Sequence, residues 1–505
     1  MKSVLFIISL LLSIITSAKN YYFSTSLGDD SRTSLQAQNP NTPWRTLSKL
    51  NEFFPNILPG DSLLFKSGES FEGFIHISKS GTKSLPIVFT SYGLGTKPVI
   101  NGFKNISSWI SLGNGIYQSN VDVKSSVQNL LLINGTQYPK GRYPNTGYLS
   151  YESFIGNTII TDAQLTATPN WTGAEVIIRK NHFVIDRNIV TNHVGQNLTY
   201  QSSSTYSGTK NFGYFIQNHI KTLDGFGEWC FDSENKKLSL FLGLDFPLSS
   251  SKLEFSDCDT LFYLNGSNFL SFNNLTLTGA SITAIELLNS NDIVVDNCKI
   301  IYSGNYAIRS TNSKRLIIQN STVENTNGNA IQLDYDSKSS IIRNNIIRNT
   351  GTKLGLGNNS DGNDIAIKTL ASNVLVENNV IDSTGYSAIF FKGDSVIIKQ
   401  NLIKNSCLVK DDGAGIYTYL DNTENPQYGR KVIKNIVLNS VGSCLGTDSY
   451  TTQAQGIYMD GRTENVDILE NTVANCSNFG IFLNGSRNIN IIRNQYSFIV
   501  YLFLE

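Results

Sequence analysis

Between residue 269 and the C-terminus one short phrase recurs with variations. It runs apolar, any, apolar, any, Asn, two or three apolar residues, and later Gly or Ala followed by Ile. Copies read VVDNCKI at 294–300, IIRNNII at 341–347, VLVENNVI at 374–381, VIIKQNLI at 396–403 and DILENTV at 467–473. With Asn274, Asn297, Asn320, Asn344, Asn378, Gln400, Asn435, Asn471 and Asn494 as register marks, the spacings are 23, 23, 24, 34, 22, 35, 36 and 23. A period near 23 with three enlarged turns is a repeat array, which constrains architecture more tightly than composition does.

The runs are short, alternate with period two and are rich in Ile and Val, as strands are. Gly, Asn, Ser and Thr fill the gaps and supply turns. No helical 3.6-residue spacing appears here, so helical and leucine-rich solenoids fit poorly. Two or three short strands per 23 residues, coiled and stacked, make an all-β parallel β-helix. Equivalent Asn side chains then lie about 4.8 Å apart on successive coils and can form a hydrogen-bonded ladder. That explains why a poor strand former returns at one register.

On these phrases the chain resembles the right-handed parallel β-helix carbohydrate-active proteins, the pectin-lyase-like superfamily that includes pectate lyases. The opening YYFSTSLGDDSRTS (21–34) and PWRTLSKLN (43–51) look like that superfamily's entry. Resemblance implies a short capping helix with Leu47, Leu50 and Phe54 on one face, plugging the first coil. An open solenoid end would expose a sheet edge and an apolar core.

Residues 1–18 have a basic start, an apolar core and small residues at Thr16 and Ala18, the pattern of a secretory signal peptide. Residues 19–116 are read as the cap and first coils. At 117–255 the beat disappears, marking an inserted β-rich domain. Its phrases LLINGTQYPKGRYPNTGYL (131–149) and GEWCFDSENKKLSLFL (227–242) resemble a β-sandwich-like insertion of β-helix glycoside hydrolases. Residues 256–505 carry the repeats and end in apolar YSFIVYLFLE without a polar cap, as a truncated product would. Forty basic against forty acidic residues argue against a nucleic-acid partner. Six dispersed cysteines without metal-ligand spacing are expected to be mostly buried thiols, with room for one disulfide. The expected protein is an exported monomer without a membrane span.

If Ile of each Gly/Ala-Ile pair points inwards, the next residue points outwards, and so does the second one after that. The first outward column is then Glu286, Arg309, Gln332, Lys368, Phe390, Tyr417, Tyr458 and Phe482. The second is Leu288, Thr311, Asp334, Leu370, Lys392, Tyr419, Asp460 and Asn484. Extra residues at 351–364, 408–413 and 443–455 precede this strand, and 420–429 follow it. Loops raised on one edge of a solenoid wall off a groove.

Asp412 (or Asp411) and Asp460 lie on adjacent coils, where a separation of about 5–9 Å suits cleavage of a glycosidic bond. A close pair raises one pKa and supplies an acid near neutrality. GIYMD (456–460) resembles the segment of β-helix xylosidase-type hydrolases whose strand-ending Asp is the nucleophile, which implies that role for Asp460. The same residue before Gly461 also suits a turn cap. Gly461-Arg462 departs from the aromatic usual there, so the subsite differs. The expected activity is glycoside hydrolysis of a polysaccharide or oligosaccharide. Asp460 would be nucleophile or base, and Asp412 (alternatively Asp411) general acid. Tyr417, Tyr458 and Phe390 offer stacking surfaces, and Lys392, Tyr419 and Arg462 are polar contacts. No cofactor or metal is implied for a hydrolase. The alternative, β-elimination on uronic acid glycans, would recruit Lys392, Lys368, Tyr417, Tyr419 or Arg462, with Ca²⁺ possible near Asp361 and Asp364. A third reading is a non-catalytic carbohydrate-binding β-helix.

Overall fold

A computed structural model describes residues 18–202 and 204–497; the proposed signal sequence through residue 17 and the last eight residues lie outside them. Three long parallel sheets of 12, 11 and 10 strands run the length of the described repeat region. Each coil contributes one strand to each sheet, so the chain winds as a right-handed parallel β-helix. The middle residue of a typical three-residue strand is buried, as are its partners in longer strands: Ile342, Val376, Ile398, Val432 and Ile468 stack at 0% exposure. One apolar core runs unbroken from Tyr21 to Ile481.

The cap forms as expected. The helix Leu47–Phe53 starts where the Thr46 side chain accepts from the Lys49 N–H at 3.1 Å. Leu47, Leu50 and Phe54 are buried in the solenoid core beside Trp44.

The register marks need correction, because they belong to two adjacent columns. Asn274, Asn297, Asn320, Asn344, Asn378 and Gln400 have φ between 51° and 56° and occupy the left-handed region, which Asn tolerates better than most residues. Their true successors in that column are Lys434, Glu470 and Arg493. The buried column is one residue later: Asn345, Asn379, Asn401, Asn435 and Asn471, ending at the half-buried Asn494. Asn401 shows the pattern. Its N–H and side-chain amide both donate to Asn435 Oδ1 (3.0 and 2.9 Å), its amide also donates to Val376 O, and its Oδ1 accepts twice from Asn379. The true step between Asn401 and Asn435 is 34, not 35. Two neighbouring columns share one period, so spacing alone does not say which residue faces inwards.

The coils are interrupted by antiparallel sheets of four, eight and four strands. These begin at Phe103–Asn105, immediately after the coil strand Val99–Asn101, rather than at 117. The intervening NGFKNISSWI keeps an apolar spacing compatible with a coil, which hides the switch. The solenoid resumes at Cys258–Asn265, which pairs with Ile75–Ile77. The six cysteines are free thiols; Cys298, Cys407 and Cys476 are buried. Among the described residues no helix is long and apolar enough to cross a membrane.

Candidate active site

The first outward column is realised in full. Backbone register pairs Glu286 with Arg309, then Gln332, Lys368, Phe390, Tyr417, Tyr458 and Phe482 in turn. It continues back through Tyr263 to His76. In the second column Tyr419 pairs with Asp460.

The aromatic rungs touch at centroid distances of 5.6 Å (Phe390–Tyr417), 5.1 Å (Tyr417–Tyr458) and 4.9 Å (Tyr458–Phe482). Phe390, Tyr417 and Tyr458 are only 4%, 8% and 3% exposed. Packing with Tyr386, Ile365 and Ala454 makes them chiefly a covered ladder, not an open stacking platform. Phe390 and Tyr417 nevertheless reach a cavity of about 310 Å³, whose wall also includes Lys392, Tyr419 and Asp460. The enlarged turns add Asp361, Gly362 and Asp421 to it, and the inserted domain adds Phe183 and Tyr206.

Lys392 is buried, sits 4.0 Å above the Tyr419 ring, and is neutralised by Glu424 at 2.6 Å with Asp421 at 3.7 Å. Lys368 donates to Gly362 O at 2.9 Å, and burial lowers its pKa. A Cβ at residue 362 would lie 2.2 Å from that amine, so glycine makes its seat. Asp361 accepts from Tyr206 OH at 3.2 Å, whereas Asp364 turns away to pair with Lys410 at 2.9 Å. These two aspartates therefore do not share one site.

Three donors converge on the Asp460 carboxylate: Tyr417 OH (2.8 Å), Asn484 Nδ2 (2.8 Å) and the Gly461 N–H (2.7 Å). Asp412 lies on the adjoining open shelf with Tyr458, Phe482 and Asn484, the last being the residue that also holds Asp460. Burial, the charge of Asp460 and that of Asp411 push Asp412 up to about 6. Tyr386 OH fixes its backbone by donating to Asp412 O at 2.9 Å.

Two of the expected residues line neither space. Asp411 is fully buried, accepts from the Gln453 N–H at 2.6 Å and faces His182 at 3.5 Å. Its carboxylate ties loops together instead of facing the groove. Arg462 is exposed and donates to Asn422 O at 2.8 Å. Conversely, Phe183, Tyr206 and Tyr386 join the cavity without being anticipated. The first two come from the non-repeating segment, where no register predicts orientation.

A larger cleft of about 910 Å³ lies near the N-terminal end, beside His76 and Tyr263. Its Asp257 accepts from the Lys124 N–H and its Asp259 from Ser125 and Ser126. These carboxylates hold a loop and are engaged by its donors, in contrast to Asp412 on the shelf beside the smaller cavity.

A family model described as a right handed beta helix region matches residues 260–432. A lacto-N-biosidase of Bifidobacterium longum subsp. longum is 33% identical over 132 residues, covering 24% of this chain and 8% of that protein's length. A structure titled glycoside hydrolase aligns over 95% of this chain and 97% of its own, with TM-score 0.78 and 14% identity. The complex of XylC with xylose aligns over 92% and 69%, with TM-score 0.53 and 12% identity. The chain thus shares its right-handed β-helix fold, along nearly its whole length, with structures of carbohydrate-active proteins.

Proposed function

We propose that this chain is an exported glycoside hydrolase acting on an oligosaccharide or polysaccharide, with Asp460 as nucleophile or base and Asp412 as general acid. The observation that carries the reading is the pair's asymmetry. Asp460 is oriented by three donors at the cavity, while Asp412 on the adjoining shelf is raised to about 6 and so keeps its proton into mildly acidic solution, where Asp460 serves as the anion. Two carboxyl groups driven to different tasks by their surroundings are what hydrolysis of a glycosidic bond requires. A sugar seated in the cavity would contact Tyr417, Tyr419 and Phe390, with its leaving group directed past Tyr458 towards Asp412. Lys392 is already neutralised by Glu424 and Asp421, which leaves it poorly suited to the carboxylate of a uronate and weighs against elimination. The names of the relatives supply starting substrates: a lacto-N-bioside and xylosides, within a wider glycan panel.

Turnover is followed by new reducing ends and by the ultraviolet absorbance of unsaturated uronates. Reducing ends without that absorbance support hydrolysis; both together identify a lyase. Asp460→Asn is expected to lose about 100- to 10,000-fold in kcat while still binding substrate. Full activity in that variant removes Asp460 from the mechanism. Binding without turnover across the panel would point to a carbohydrate-binding protein.

A further inference from the structure

Residues 179–183 of the inserted domain enter the seam beneath two enlarged turns, 408–413 and 443–455. Arg179 is fully buried there, and every one of its five N–H groups is directed at a backbone carbonyl. Nε donates to Asn181 O (3.3 Å); Nη1 donates to Val409 O and Leu445 O (both 3.0 Å); Nη2 donates to His182 O and Ser443 O (both 2.6 Å). One guanidinium therefore links the insertion to turns of two successive coils. The buried Asp411 supplies nearby opposite charge. Its N–H donates to His182 O at 2.9 Å, and its carboxylate takes the Gln453 N–H at 2.6 Å. Gly442 gives that carboxylate room, since a Cβ there would lie 2.4 Å from Asp411 Oδ1. Asp412 is the next residue along.

We propose that Arg179 is a positioning residue through which the inserted domain holds the two turns together and sets Asp412 beside Asp460. This rests on reading Asp412 as the general acid. The titratable groups acting on Asp412 are Asp460, Asp411 and His182, and the phenols beside it are Tyr386, bonded to its carbonyl, and Tyr458, on the same shelf. Replacing five fixed donors by fewer loosens the turns and admits more water to Asp412.

The test uses the full chain with Arg179→Met and Arg179→Lys, the latter keeping the charge with at most three donors. Hydrogen exchange in 408–413 and 443–455 is compared with that in the coil strands Ile317–Gln319 and Ile341–Arg343. Titration of Asp412 is followed by its ¹³C carboxyl resonance, assigned with Asp412→Asn. Exchange is expected to quicken about tenfold or more in the two turns alone, with Asp412 titrating closer to an ordinary aspartate. Arg179→Lys should give a smaller change in the same places, and it carries the experiment if Arg179→Met does not fold. Faster exchange spread evenly over the coils, or an unmoved Asp412 titration, overturns the proposal by reducing Arg179 to general stabilisation. Turnover retained in Asp412→Asn, with the turns still held by Arg179, removes the acid assignment but leaves the clamp standing.

Discussion

At the scale of a single residue, the proposed role of Asp412 as general acid ties turnover to pH. Its ordinary value of 3.8 is raised to about 6, first by burial and then by Asp460 and Asp411. A general acid works only when protonated, so kcat/KM is expected to fall as pH rises through about 6. A pH profile flat across that region excludes Asp412 as the acid. The same shift has a cost in stability. Between the unfolded and folded values the native state holds a proton that the unfolded chain releases, so stability is highest below that window and declines as pH rises through about 6. Asp412→Asn removes the decline and should stabilise the protein by about 1–3 kcal/mol at neutral pH and above. Melting curves of variant and parent would then diverge near pH 8 and converge near pH 4. Of this site, the outward direction of Tyr417, Tyr419 and Asp460 was legible because strand alternation is strict. The burial of Asp411 was not, because Asp411 and Asp412 sit in a turn, where alternation has no authority. The inserted domain and the turn 443–455 packed around them decide which one faces the groove.

Among the elements, the two Asn columns have different energetics although they share one beat. Asn401→Ala takes the Oδ1 acceptor from the backbone N–H of Asn379 and one donor from Val376 O, while the Asn379 side-chain amide keeps Ile342 O; each buried group left unsatisfied costs about 1–3 kcal/mol. Gln400→Gly, one residue earlier, relieves a left-handed conformation (φ 56°) while adding backbone freedom to the unfolded chain. Its net effect should stay within about 1 kcal/mol. Urea midpoints of the two variants make the comparison; equal losses would show that the buried ladder has no special weight. The coil and its strands were readable because Ile and Val repeat over seven or more copies. A one-residue offset between the columns was not, because Asn serves both a left-handed turn and an internal ladder.

For the whole molecule, the inserted domain is part of the cavity and not an appendage beside it. Tyr206 reaches Asp361 across 155 residues of sequence, a contact that no local pattern encodes. Tyr206→Ala should raise KM about tenfold with little change in melting temperature, the signature of lost binding and not of lost folding. An unchanged KM would place Tyr206 outside the substrate's reach. The interruption of the solenoid also imposes a schedule on synthesis. Ser91 and Asn274 are bonded on adjacent coils yet lie 183 residues apart. At ribosomal rates of roughly 5–20 residues per second, the strand Ile87–Tyr92 waits about 10–40 s for the strand that will cover it. For that interval the nascent chain carries an unpaired sheet edge and an uncovered apolar face, so the first coils depend on shelter before their own sequence provides it.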